Sequence, residues 1–338
     1  MQDKARITVV GAGIIGLWQA LVLARAGHRV TLREASVDPF AATASRYAGA
    51  MLAPDCESEA ARAAVRGFGH AGLRLWRAAY PNLVEAGTLV LAQPRDRSEI
   101  VRFARMTGGH RTLDEDDISR IEPDLAGRFA SGLYFADEAH METPAAMAFL
   151  LDAARSAGAE VRLGDGVGDL ASLDGIVVDC RGLAARGEIP SLRGVRGERV
   201  VVKARDVALA RPVRLLHPRH PLYVVPWSDH VFMIGATVIE SEDAGPATVR
   251  SGLELMGVAY ALHPGFGEGE ILEFGAGLRP AFADNVPRVL VEAEGRVLRV
   301  NGAYRHGFLL APVLAEAVAA LVMGGGRDHP LVGRGEIG

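Results

Sequence analysis

The sequence predicts an α/β fold, α+β overall, in which a Rossmann-like domain is combined with a second domain rich in antiparallel strands. A strand, a glycine-rich turn, a helix and a second strand open the chain. Strand and helix alternation returns near residues 143–182 and 297–323, and β-rich runs lie between about 199 and 240. With 338 residues the chain exceeds one ordinary domain, so two domains are expected.

The opening unit follows the order expected of a βαβ crossover. Residues 6–10 are a β-branched run, and Gly11-x-Gly13-x-x-Gly16 follows it directly. Residues 17–26 have helix-forming composition, and residues 28–33 return as a strand. Two strands joined by a helix within about thirty residues pair in parallel, with a right-handed crossover.

Later segments divide into helices, parallel-type strands and antiparallel-type strands. Helices are predicted at 66–79, 143–157 and 311–323, strands of the first sheet at 158–163, 175–182 and 297–300, and strands of an antiparallel sheet at 199–203, 222–226 and 230–235. The first domain is therefore predicted to be discontinuous. It takes residues 1–84, 140–203 and 276–338, and the substrate domain takes 85–139 and 204–275.

Composition and charge exclude several functional classes. The formal net charge is -4, from 41 acidic and 37 basic residues that are interspersed, so neither a nucleic-acid partner nor a polyanion is expected. The only cysteines, Cys56 and Cys180, lie far apart, which argues against a disulfide framework or a metal site. The N-terminus passes directly into an apolar strand, so we expect no signal peptide, no membrane span and a cytoplasmic location.

The glycine motif is the strongest local indication of chemistry. Gly11 permits a tight turn, Gly13 lets the backbone approach a pyrophosphate, and Gly16 allows close packing of helix on strand. The helix N-terminus attracts phosphate charge, and Glu34 at the end of the second strand can bind ribose hydroxyls. The motif predicts ADP binding, the alternative being a purely structural turn, and by itself it leaves NAD and FAD open.

Two arginines lie in apolar, glycine-rich surroundings near the C-terminus. Arg279 follows Gly277-Leu278, and Arg305 stands within residues 301–312. A buried guanidinium requires an anion, and its planar geometry suits a carboxylate. The alternative for each is an internal salt bridge or a surface position. Residues 44–54, mostly small, either admit a cofactor closely or form a packed loop.

These segments together resemble the D-amino-acid oxidase superfamily, most of all its glycine-oxidising members in thiamine biosynthesis. The resemblance runs in order from residue 6 to about 323 and is carried by residues 6–34, 48–54, 223–226, 235–237, 277–280 and 304–312. It implies an FAD-binding domain of the glutathione-reductase type and FAD held non-covalently. The residues that it places at the cofactor are Gly11, Gly13, Ile14, Ile15, Gly16, Glu34, Ala48, Gly49, Ala50, Met51, Leu52, Val161, Cys180, Gly182, Arg279, Gly302, Tyr304, Arg305, His306, Gly307, Phe308 and Leu309.

The resemblance also implies a reaction. Arg279 would hold a substrate carboxylate, Tyr223 would donate its hydroxyl to it, and Arg305 would lie at the edge of the site. The expected activity is oxidative deamination of glycine by O2 to glyoxylate, ammonia and hydrogen peroxide, feeding thiazole synthesis, in a possible homo-oligomer. Oxidation of sarcosine, iminodiacetate or a D-amino acid remains an alternative, as do an NAD-dependent dehydrogenase and a non-catalytic flavoprotein.

The histidine pattern departs from the family. A histidine often stands just before the Tyr223 position in glycine-oxidising members, where this chain has Pro221-Leu222. The displaced His217 and His220 are weaker candidates for the site than for an exposed loop.

Overall fold

The computed structural model describes residues 4–59, 63–218 and 221–334, which build two large sheets. The helices are α1 (Ile14–Arg25), α2 (Ala63–Ala79), α3 (Arg97–Met106), α4 (Glu115–Ile121), α5 (Thr143–Ser156), α6 (Val249–Leu262) and α7 (Gly307–Val322). The strands are β1 (Arg6–Val10), β2 (Arg29–Glu34), β3 (Met51–Leu52), β4 (Thr88–Ala92), β5 (Arg111–Asp114), β6 (Ser131–Phe135), β7 (Ala139–His140), β8 (Glu160–Leu163), β9 (Ile176–Asp179), β10 (Arg193–Lys203), β11 (Val213–Leu216), β12 (Leu222–Pro226), β13 (Val231–Gly235), β14 (Glu270–Ala281), β15 (Arg288–Glu292), β16 (Val297–Asn301) and β17 (Val332–Arg334).

The first sheet contains the predicted βαβ unit. Its strand order is β17-β15-β16-β9-β1-β2-β8, and β1 pairs in parallel with both β2 and β9. The β15 and β16 strands form the antiparallel pair within this sheet. Because β1, β2, β9 and β16 run in the same direction, their carboxyl ends meet at one edge, where ligands of such sheets bind.

Helix α1 is buried on nearly every side against this sheet, α5 and α7. Leu17 and Leu21 are fully buried, and Trp18 packs edge-on against Trp76 of α2. Each fully buried leucine contributes about 1.5–3 kcal/mol to folding through loss of apolar surface from water. This packing holds the glycine turn at the start of α1 against the sheet.

Helix α7 begins four residues earlier than predicted, at Gly307 rather than residue 311. The prediction placed Pro312 near the helix start, because a proline inside a helix cannot donate to the carbonyl four residues before it. Here the indole Nε1 of Trp76 donates to that carbonyl, of Phe308, at 2.6 Å. A tertiary contact thus replaces the missing bond, and the first turn of α7 extends to the site.

The second sheet has the strand order β14-β10-β13-β12-β11-β4-β6-β5. Its strands are antiparallel, as predicted, except for the parallel pair β4 and β11. The predicted domain boundaries at 203 and 276 fall at the end of β10 and inside β14, and both strands pair in this sheet. In the described parts of the chain, no helix combines the length and apolarity needed to cross a membrane.

Candidate functional site

A cavity of about 1010 Å³ is lined by residues of both sheets. At one end it is lined by Val10, Gly11 and Glu34 of the first sheet and its connections. At the other end it is lined by Tyr223 and Arg279 of the second. The cavity therefore joins the predicted nucleotide site to the predicted carboxylate site.

The glycine motif adopts a geometry that larger residues could not. Gly11 has a φ of +101°, and a Cβ there would lie 2.7 Å from the carbonyl oxygen of Cys180. A Cβ at Gly16 would lie 1.8 Å from the carbonyl oxygen of Gly11. The turn therefore packs against β9 and exposes the N-terminus of α1 to the cavity, as an anion site requires.

Glu34, at the end of β2, accepts hydrogen bonds that stabilise this turn. Its Oε2 accepts the backbone N–H of Ala12 at 2.7 Å, and its Oε1 accepts that of Ser36 at 3.1 Å. Ser45 Oγ accepts the N–H of Ile14 at 3.0 Å, at the first turn of α1. Ser45 and its neighbour Thr43 also line the cavity, and neither was predicted from the sequence to have a role.

Most of the cofactor residues implied by the resemblance do line the cavity: Gly11, Gly13, Ile14, Ile15, Glu34, Ala48, Gly49, Ala50, Met51, Cys180, Gly182, Arg279, Tyr304, Arg305, His306, Gly307, Phe308 and Leu309. Four do not. Gly16 is packed beneath the turn, Leu52 is fully buried in the core, and Gly302 is covered by the ring of Phe282. Val161 of β8 is paired with Leu32 of β2 and packs against the hydrophobic core.

Arg279 presents its guanidinium to the cavity. Its Nη1 donates to the carbonyl oxygens of Thr237 at 3.1 Å and Arg196 at 3.3 Å. Within the described residues it has no carboxylate partner, and burial lowers the pKa of its guanidinium. An unpaired buried cation is costly, so a ligand carboxylate is its expected partner.

Gly197 leaves space for this guanidinium and was not predicted from the sequence. It lies on β10, and a Cβ at this position would lie 2.1 Å from Nη2 of Arg279. Nothing in the local sequence shows this, because β10 and β14 are paired from distant parts of the chain.

Arg305 forms an internal salt bridge, which was one of the alternatives to substrate binding that the sequence left open. Glu57 lies 3.1 Å from its Nη2 and lines the same cavity. Burial raises the pKa of Glu57, but Arg305 and Arg214 outweigh this and hold that pKa below its usual value. Glu57 was missed, although acidic residues directly after the small-residue run of 44–54 were a usable indication.

Tyr223, Tyr304 and His306 are further polar residues that line the cavity. Tyr223 lies on β12, opposite Arg214 of β11 and Gly235 of β13. Burial lowers the pKa of His306 to about 4, so this histidine is neutral at neutral pH. His217 lines a separate shallow cavity with Gln93 and Glu254, and His220 lies outside the described residues.

The family model for FAD dependent oxidoreductases of the DAO type matches residues 6–321. The chain belongs to this family of FAD-dependent oxidoreductases. The prediction of FAD as cofactor is therefore confirmed, and the NAD-dependent interpretation of the glycine motif is wrong.

Individual relatives of this FAD-dependent oxidoreductase cover almost its whole length. The thiamine biosynthesis oxidoreductase ThiO of Rhizobium etli is 52% identical over 93% of this chain and 95% of that protein. Glycine oxidase of Geobacillus kaustophilus is 28% identical over 95% of this chain and 94% of that protein. The crystal structure of glycine oxidase from that species has a TM-score of 0.82 and 25% identity, and 95% of each chain is covered. The predicted fold class and superfamily are confirmed.

Proposed function

We propose that this oxidoreductase converts glycine to glyoxylate, ammonia and hydrogen peroxide and thereby supplies thiamine biosynthesis. The observation that carries the proposal is Arg279, a buried cation that faces the cavity without a carboxylate partner among the described residues. The ThiO of Rhizobium etli and glycine oxidase of Geobacillus kaustophilus support the choice of reaction through their names and their similarity.

The residues present fit FAD. The positive φ of Gly11 and the close approach at Gly16 leave the backbone of the turn open to a pyrophosphate. Glu34 lies where ribose hydroxyls would be bound, and the small residues 48–50 with the first turn of α7 would flank the isoalloxazine. When bound, FAD would accept a hydride equivalent from the substrate Cα and pass the electrons to O2.

The protein groups would position the amino acid. Arg279 would bind the carboxylate through two parallel hydrogen bonds, and the Tyr223 hydroxyl would donate a third. The substrate amine would react in its neutral form, having lost its ammonium proton to solvent. Loss of hydride from Cα of the neutral amine leaves an iminium ion, and water then hydrolyses it to glyoxylate and ammonium. No side chain has to accept the Cα hydrogen, so the protein would contribute orientation and electrostatics.

The proposal is tested by anaerobic absorbance spectra of the purified holoenzyme before and after addition of glycine, sarcosine or D-alanine. We expect the flavin bands to bleach with glycine at low concentration and to return on admission of O2 with release of hydrogen peroxide. Bleaching only with another amine would overturn glycine as substrate. Bleaching with no amine tested would overturn the amine-oxidising activity itself.

Gly197→Ala should weaken substrate binding without unfolding the protein. The three atoms nearest to the new Cβ all belong to the end of the flexible Arg279 side chain, so we expect the guanidinium to move and the strand to remain. Misplacement of a binding group by about 1 Å costs up to about a hundredfold, so we expect the KM for glycine to rise about tenfold to a hundredfold. Steady-state kinetics and a melting curve check this.

Gly187→Ala is the matched control, because a Cβ there would have no neighbour within 4 Å. Its KM should equal that of the unaltered protein. An unchanged KM in Gly197→Ala would mean that the Arg279 guanidinium, in its position beside Gly197, does not bind the substrate.

A further inference from the structure

The positive charges that line the cavity are unequally balanced by carboxylates. The cations that line it are Arg33, Arg181, Arg196, Arg279 and Arg305, with His306 neutral. Arg33, Arg181, Arg196 and Arg305 each have a carboxylate partner. Among the residues that the structure describes, Arg279 alone in this set has none.

Glu57 is the carboxylate that pairs with Arg305. Its Oε2 and Oε1 lie 3.1 and 3.3 Å from Nη2 of Arg305. Its Oε1 also lies 3.4 Å from Nη1 of Arg214, but Arg214 has a closer partner in Glu59 at 2.7 Å. Arg102 pairs with Glu59 at 2.9 Å and with Glu99 at 3.0 Å, so the cluster holds three cations and three carboxylates. Of these three carboxylates, Glu57 is the one that lines the cavity.

The backbone that carries Glu57 is held from behind by Glu138. The buried Oε1 of Glu138 accepts the N–H groups of Asp55 at 3.0 Å and Cys56 at 2.7 Å. The N–H of Glu57 itself donates to the carbonyl of Ala53 at 3.0 Å. This clamp fixes where the Glu57 side chain enters the cavity, so its pairing with Arg305 is built into the fold.

We infer that Glu57 determines the substrate class of this site by neutralising Arg305, so that the cavity accepts amines with one carboxylate and discriminates against dicarboxylates. The inference takes the cavity as the amino-acid site and so rests on the proposed function. A second carboxylate near Arg305 would meet the charge of Glu57, and like charges in a partly buried site repel strongly. Arg279 and Arg305 are close enough for the second to lower the pKa of the first. Removal of Glu57 would therefore leave two adjacent cations, which suit a dicarboxylate.

Glu57→Gln tests this, because it keeps the size of the side chain and removes its charge. Sarcosine and iminodiacetate are a matched pair of substrates, since they differ by one carboxylate on the N-methyl carbon. Close charge pairs that are partly desolvated contribute strongly to binding, so we expect the ratio of kcat/KM for iminodiacetate to that for sarcosine to rise about tenfold or more, which corresponds to about 1.4 kcal/mol. An unchanged ratio would overturn the inference.

Binding gives a second measurement that does not depend on turnover. Acetate and malonate also differ by one carboxylate, and their Kd values can be obtained by calorimetry on the holoenzyme. In Glu57→Gln, the Kd for malonate should fall about tenfold relative to the Kd for acetate, which corresponds to about 1.4 kcal/mol. If no amine is oxidised but acetate binds and malonate gains in Glu57→Gln, the proposed reaction fails while this inference stands.

Two further variants separate charge balance from a structural role. Glu85→Gln removes the same charge from an exposed pair with Arg77, outside the residues that line the cavity, and should leave both ratios unchanged. The double variant Glu57→Gln with Arg305→Gln should lose the gain for iminodiacetate and malonate, because the freed cation is gone. A gain that persists in the double variant, or that appears equally in Glu85→Gln, would contradict the assignment.

Discussion

Arg279→Ala is expected to raise the KM for glycine about a hundredfold or more, because truncating one partner of a buried charge pair costs about 2–5 kcal/mol. The FAD content should stay unchanged, since the glycine turn and Glu34 lie at the other end of the cavity. The loss should appear in KM more than in kcat, because the carboxylate is bound equally in the ground and transition states. Steady-state kinetics and the flavin-to-protein absorbance ratio measure both.

Arg279→Lys should also be impaired, which separates geometry from charge. A lysine ammonium is a point charge and cannot form two parallel hydrogen bonds to a carboxylate. Arg120→Ala is a suitable control, because this arginine is 72% exposed on α4 and far in sequence from the site. A KM for Arg279→Ala equal to that of the control would remove Arg279 from the substrate site.

Gly16→Ala is expected to abolish stable FAD binding. The added Cβ would lie 1.8 Å from the carbonyl oxygen of Gly11, a backbone atom that cannot move without opening the turn. Overpacking of this kind costs about 1–3 kcal/mol, and displacement of the turn also removes the phosphate site. At 1.4 kcal/mol per factor of ten, FAD affinity should fall about a hundredfold, which absorbance after gel filtration would show.

Gly257→Ala is the matched control for this substitution. Gly257 is exposed in the middle of α6, and a Cβ there would have no neighbour within 4 Å. Alanine in an exposed helix interior should raise stability by about 0.5–1 kcal/mol and leave FAD content as it is. Full FAD retention in Gly16→Ala would contradict the role given to the glycine turn.

The nucleotide end of the site could be predicted from the sequence because its parts are local. Gly11, Gly13 and the start of α1 lie within six residues, and Glu34 follows one crossover later. Steric limits on φ and the parallel pairing of β1 with β2 then determine how these residues meet. Small errors remained at element ends, as at α7, where Trp76 compensates for Pro312.

The substrate end could be predicted only in part, because its charges are paired across distant segments. The sequence could not distinguish Arg279 from Arg305 as the residue with a free charge, since each lies in an apolar, glycine-rich segment. Folding brings Glu57 to Arg305 from 248 positions away, whereas Gly197 and the carbonyl groups of Arg196 and Thr237 surround Arg279. Whether a buried cation is neutralised depends on these contacts, which a single local sequence does not contain.

The sequence by itself determined the α/β fold class, the glycine turn, its acidic residue and the two arginines, because backbone sterics and hydrophobic periodicity act over a few residues. Only the tertiary structure decided that Arg279 faces the cavity with no carboxylate partner among the described residues, while Glu57 neutralises Arg305. It also decided that Gly197 leaves room for the guanidinium. The reason is physical: electrostatic balance and steric room depend on distances through space, and the pairing of β10 with β14 and the clamp of Glu138 on residues 55–56 set those distances.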